Sequence, residues 1–164
     1  MRRTAEHLPV PLVHSAVPLN ELHGDDDLDT KLLRAMAEEA IRYVRSFPWC
    51  IELHETYFSD GVGGVVALFL SCVTIRQAET PEWIWVIVGD LPSAYMEFEP
   101  SHSPRAALLR YIEGVEEWLA ASEEERPSAN LIPIDVPPGT EFIDMPQGRI
   151  ETLRSLVLPN LLDS

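Results

Sequence analysis

Residues 49–88 read WCIELHETYFSDGVGGVVALFLSCVTIRQAETPEWIWVIV, and the spacing of apolar residues within them decides the fold. The first nine alternate as a half-buried strand does, with Trp49, Ile51 and Leu53 on one face. Ser59 to Gly64 is turn chemistry, because three glycines in four residues supply positive φ at no steric cost. Val65 to Ile75 is a second strand and Trp83 to Val88 a third. Both are apolar on two faces, so each is expected to be central or covered twice. Gly89 to Ser93 breaks the third strand, and Ala94 to Glu99 is a short fourth. Consecutive hairpins of this kind imply an antiparallel meander.

Helices are expected on either side of this stretch. Asp25 to Asp27 introduce a helix over Leu28 to Phe47, with Asp27 or Asp29 capping its free N–H groups. Its apolar stripe is Leu33, Met36, Ala40, Val44 and Phe47, widened by Leu32 and Tyr43. Pro48 ends it. Ser103 and Pro104 are an N-cap and a first helical residue, opening a helix to about Ser122 with Leu108, Ile112, Val115 and Leu119 as its stripe, Tyr111 and Trp118 beside it. Leu131 to Pro138 reads as extended. Thr140 caps a last helical segment in two pieces, the second near Gln147 to Leu158. The expected fold is α+β: an antiparallel three- to four-stranded meander sheet flanked by helices, in the order α-β-β-β-(β)-α-α, with the helices on one face. Residues 1–24, apolar but punctuated by Pro9, Pro11 and Pro18, form an extended arm suited to a sheet edge, and residues 25–164 form the single domain.

A chain of 164 residues with 46% hydrophobic and 24% charged residues is ordinary for one globular domain. Its charge is not ordinary: 27 Asp and Glu against 12 Lys and Arg leave a net −15. Phosphate backbones and anionic membranes repel such a surface, so neither nucleic acid nor membrane is an expected partner. Between Gln77 and Glu125 eleven acids face only Arg105 and Arg110, so much of the surplus is concentrated there. With two cysteines and no apolar run after Arg2 and Arg3, the sequence predicts a cytoplasmic protein without a secretory leader.

Candidate chemistry begins in the first hairpin. A turn centred on Gly61 would set Cys50 opposite Cys72, Glu52 opposite Leu70 and His54 opposite Leu68. It would also place Cys50, Glu52, His54 and Thr56 on one face. Cys50 and His54 would then stand about 13 Å apart, too far for a thiol and its base, whereas Glu52 and His54 are within reach as a proton-transfer couple. Asp90 is delivered to a sheet rim by the end of a strand, with Tyr95, Glu97 and Glu99 just beyond. Trp49, Trp83, Trp85 and Trp118 are expected in the core, with one edge of Trp83 and Trp85 lining a groove. His7, His14, His23, His54 and His102 show no metal-binding spacing, and no cysteine pair has one. Asp25 to Asp29 lack the glycine and distal glutamate of a calcium loop. The glycines at 61–64 lack a phosphate-loop lysine, and no Gly-x-Ser-x-Gly occurs. No cofactor and no metal are therefore expected.

Small, strongly acidic α+β modules are common among immunity proteins, antitoxins and phage-encoded inhibitors; the likeness is one of class and carries no residue over. The first expectation is accordingly a non-catalytic acidic binding protein, an immunity-type or antitoxin-like inhibitor of a basic protein, contacting it through Glu97, Glu99, Glu113, Glu116 and Glu117. The alternative is a small enzyme or ligand-binding protein with a polar pocket built from Glu52, His54, Asp90 and Tyr95. A third reading, a subunit of a larger assembly, rests on the apolar arm.

Overall fold

The computed structural model describes residues 16–78, 80–90, 92–98, 103–124 and 150–160, with the side chains of 118, 119, 121–124, 156 and 160 excepted. The expected segments at Leu131 to Pro138 and at Thr140, the stripe position Leu119, Trp118 and Glu99 lie outside these. The elements are β1 (Val17–Pro18), α1 (Asp27–Arg45), β2 (Cys50–Val62), β3 (Val66–Ile75), β4 (Glu82–Gly89), β5 (Ala94–Glu97) and α2 (Pro104–Glu124). Residues 150–160 coil in helical turns, a π-helix over Leu153–Val157 and a 3-10 turn over Leu158–Asn160. The five strands form one antiparallel sheet in the order β1-β2-β3-β4-β5. The α+β meander is therefore present, with β1 added along β2 through the pairs Val17–Phe58 and Pro18–Tyr57.

The helices cover both faces of the sheet, not one. Leu33, Met36, Ala37, Ala40, Tyr43 and Val44 of α1 pack with Ala67, Phe69, Val73, Ile84, Val86 and Val88. The opposite sides of the same strands, Val66, Leu68, Leu70, Trp85 and Ile87, pack with Ala107, Leu108, Tyr111, Ile112 and Val115 of α2 and with Ile150, Leu153 and Val157. This doubled core is what strands without polar alternation require, since each fully buried Leu, Phe or Val contributes roughly 1.5–3 kcal/mol relative to exposure. Leu32, expected in the α1 stripe, stands outside it and is exposed. Asp26, rather than Asp27 or Asp29, caps α1, its carboxylate accepting from the Asp29 N–H at 2.8 Å. Ser103 caps α2 as expected, accepting from the Ala106 N–H at 3.1 Å.

The largest departure is the register of β2 on β3. Val62 pairs with Val66, so the turn lies at Gly63 and Gly64, not around Gly61. Gly64 has φ +79°, the conformation a tight reversal needs. Gly61 is a ladder residue instead: a Cβ there would stand 2.7 Å from the Val66 carbonyl oxygen and 2.8 Å from the Ala67 Cα. From the turn outward β2 slips at three bulges, between Phe58 and Asp60, Leu53 and Glu55, and Cys50 and Glu52. Each bulge adds one β2 residue against its partner strand and shifts the alternation of faces. Cys50 consequently pairs with Ile75, and Cys72 with Glu55. The expected partners of Cys50, Glu52 and His54 are all replaced. Ile51, expected beside Trp49 and Leu53, falls at a bulge and is 57% exposed.

Candidate functional site

The residues singled out from the sequence come to lie in four places. At the turn end of the sheet, β4 closes on Gly89, where a Cβ would stand 2.2 Å from the Val65 carbonyl oxygen. That close approach lets the Asp90 N–H donate to the same oxygen at 2.8 Å and brings Asp90 to the rim, exposed. Beneath it lies a cleft of about 160 Å³ among Val65, Val88, Asp90, Tyr111, Thr152 and Leu153. The Tyr111 hydroxyl donates to the Pro92 carbonyl at 2.6 Å, and burial holds its phenol well above the ordinary value of 10.0.

The same end is tied to α1 by Asp29. One carboxylate oxygen accepts from the Gly63 N–H at 2.7 Å and the other from the Asp25 N–H at 2.8 Å. Within the Asp25 to Asp29 run, Asp26 is thus occupied with capping α1 and Asp29 with holding the hairpin. Among the described residues no group of three His, Cys, Asp or Glu side chains is arranged for a metal ion.

At the opposite end of the strands the bulge at His54 brings a second polar group together. His54 Nε2 lies 2.6 Å from the Thr74 hydroxyl, and Nδ1 lies 3.6 Å from a Glu52 carboxylate oxygen. The Glu52 and His54 couple expected from the sequence is therefore in reach, with Thr74 as a third member that sequence spacing missed. Twenty residues separate His54 from Thr74, and only the true register shows them as neighbours. A hydroxyl, an imidazole and a carboxylate in this order can relay a proton. Nearby, the Tyr57 hydroxyl donates to Glu55 at 3.2 Å. Burial, then the Glu55 charge and this hydrogen bond, hold that phenol above its ordinary value.

Asp90 does not join this group. It sits beside Val65, which immediately precedes β3 and is nine residues from Thr74, about 30 Å along a strand. Tyr95 lies elsewhere again, on the α1 face, its ring 4.9 Å from Trp49, 5.1 Å from Phe47 and 6.4 Å from Tyr43. The four polar residues assigned to one pocket therefore occupy three separate surroundings. Cys50 and Cys72 form no disulfide and do not face each other. Burial raises Cys50 above the ordinary thiol value despite the opposing charge of Arg45, which keeps it a packing group rather than a thiolate. Trp85 is wholly buried, and its indole N–H meets no hydrogen-bond partner among the described residues; Trp83 lies half-buried against Tyr57.

The fourth place is the outer surface of α2 and the edge strand β5. Glu113, Glu116 and Glu117 are exposed on the side of α2 away from its buried stripe, and Glu97 is exposed on β5. Glu116 is partly engaged, its carboxylate accepting from Arg154 at 2.7 Å. Among the described residues no helix is long and apolar enough to cross a membrane. Comparison with family models, with curated proteins and with solved structures finds no match to this chain.

Proposed function

We propose that the chain is a non-catalytic acidic binding protein that neutralises a basic protein partner, in the manner of an immunity-type or antitoxin-like inhibitor. The observation that carries this reading is the division of α2: one side is fully buried in the core, while Glu113, Glu116 and Glu117 stand in solvent, and among the described residues only Glu116 is held by an arginine. Together with the net charge of −15, that surface supplies a field able to steer a cationic partner into contact. The cytoplasm is the compartment this reading assumes.

The test is affinity capture from the native host with the tagged protein, washed at low and then at high salt. A stoichiometric basic protein released by salt is expected. Changing Glu97, Glu113 and Glu117 together to lysine should then slow its association by about tenfold or more, the scale on which steering acts. An unchanged association rate overturns the reading.

A second reading, an enzyme acting through His54, is supported by the Thr74–His54–Glu52 chain of contacts. It requires that a reaction be found whose rate falls about a hundredfold or more in His54→Ala, the low end of what a positioned acid or base supplies.

A further inference from the structure

We infer that the cleft at the turn end seats one long cationic side chain, a lysine or arginine, presented by the basic partner. This rests on the binding-protein reading above and adds the point at which the partner anchors. The cleft's volume of about 160 Å³ is well under the roughly 300–1,000 Å³ of sites that enclose a cofactor-sized molecule, and suits a single side chain. Val65, Ile87 and Leu153 are apolar residues of its lining, and Asp90 is an exposed acidic one. Lysine and arginine have the matching build, an apolar stem of methylenes under a charged head. A carboxylate has acceptor sites for several donors, so Asp90 can receive an ammonium or guanidinium beside the contacts it already makes.

A second, independent observation points to the same end. Leu28, Leu32 and Val62 are 66%, 37% and 42% exposed, three of the four large hydrophobic side chains exposed among the described residues. They gather around the hairpin turn: Leu28 and Leu32 are one helical turn apart, and Leu32 Cδ1 lies 3.6 Å from where a Cβ on Gly64 would be. Asp25, Asp26 and Asp27 stand exposed beside them. An apolar centre with a charged rim is the anatomy of a protein interface, and here three exposed aspartates outnumber the exposed Lys31 beside Leu28 and Leu32, a balance that favours a basic partner. The patch, tied to the turn by the Asp29–Gly63 bond on the α1 side, and the cleft, tied to it by the Asp90–Val65 bond on the α2 side, thus share one end of the sheet.

The test is an NMR titration of the full chain with the N-acetyl methylamides of lysine, arginine and norleucine, the last a neutral counterpart of the lysine stem. The cationic probes should shift the Val65, Gly89, Asp90 and Leu153 amides saturably, with a Kd of about millimolar, as one anchored side chain warrants. Norleucine should bind the cleft about two- to fivefold more weakly, and Asp90→Asn should remove most of that preference, in keeping with an accessible ion pair. Equal binding of norleucine, or cationic shifts confined to α2, overturns the inference. If Asp90→Asn fails to fold, the comparison of lysine with norleucine on the unaltered protein still decides it. The two proposals fail separately. Absence of cleft binding, with the triple lysine variant still slowing a salt-released partner, removes only the anchor. Cleft binding, with an unchanged association rate in that variant, removes the steering reading and leaves the cationic site.

Discussion

The two ends of the central hairpin are built in opposite ways. At the turn, Val62, Gly61 and Asp60 pair without a slip with Val66, Ala67 and Leu68, and the loop is bonded to α1 through Asp29 and to β4 through Asp90. Towards Cys50 the same strand slips twice within a few residues and leaves Glu52 exposed, with polar contacts made across the irregularity. The difference shows how one strand can keep its register where backbones approach closely and lose it where the contacts are made by side chains. The tight end carries the cleft, and the loose end carries the histidine.

This contrast can be broken by substitution, beginning where the effect should be largest. Gly89→Ala forces a Cβ to within 2.2 Å of the Val65 carbonyl, a backbone contact that can yield only if β4 and the turn separate. A loss of about 3 kcal/mol in urea denaturation is expected, the upper range for local backbone strain. A smaller loss, about 2 kcal/mol, is expected for Asp29→Ala, which strips acceptors from the Gly63 and Asp25 N–H groups.

Tyr111→Phe, at the cleft, should cost about 1 kcal/mol at neutral pH for the bond to Pro92. Its pH dependence runs in a definite direction. The folded phenol is held above its ordinary 10.0, so the stability tied to its proton is intact below that pH and is lost as pH rises towards the folded value. Wild type should therefore weaken between neutral pH and pH 11 by more than Tyr111→Phe does, as judged by denaturant midpoints. Thr74→Val, at the loose end, keeps the branched shape and removes only the hydroxyl that meets His54. A change within about 0.5 kcal/mol is expected there. Should Thr74→Val cost more than Asp29→Ala, the asymmetry of the two ends would be wrong.

Much of the fold was legible because binary patterning speaks directly about burial. Val65 to Ile75 and Trp83 to Val88 announced doubly covered strands, and Ser103 with Pro104 announced the start of α2. The same pattern implied helices on both faces, and the expectation of one face did not follow it through. Register was less legible, because a glycine has two uses that look alike in sequence. Gly61 serves close approach in the ladder, while Gly63 and Gly64 make the turn. Once the turn is displaced, every facing pair moves, and bulges carry no compositional mark of their own. That is why the Glu52–His54 couple, a local spacing, was found and Thr74 was not. Asp90 was foreseen as a rim carboxylate, but its separation from His54 follows from strand length and direction, which a list of polar residues does not contain.

The bulges have one more consequence. Among the described residues no strand pairs with the edge of β2 away from β3 between Cys50 and Thr56, so the N–H and C=O groups of that edge face outward like an unfinished seam. Such an edge invites other chains to add themselves, strand upon strand, into aggregates. Two of the three slips fall within that open length, and a straight strand laid there would lose its hydrogen bonds at each. The irregularity that spoils the register prediction also guards the protein, in a crowded solution, against growing into a fibre.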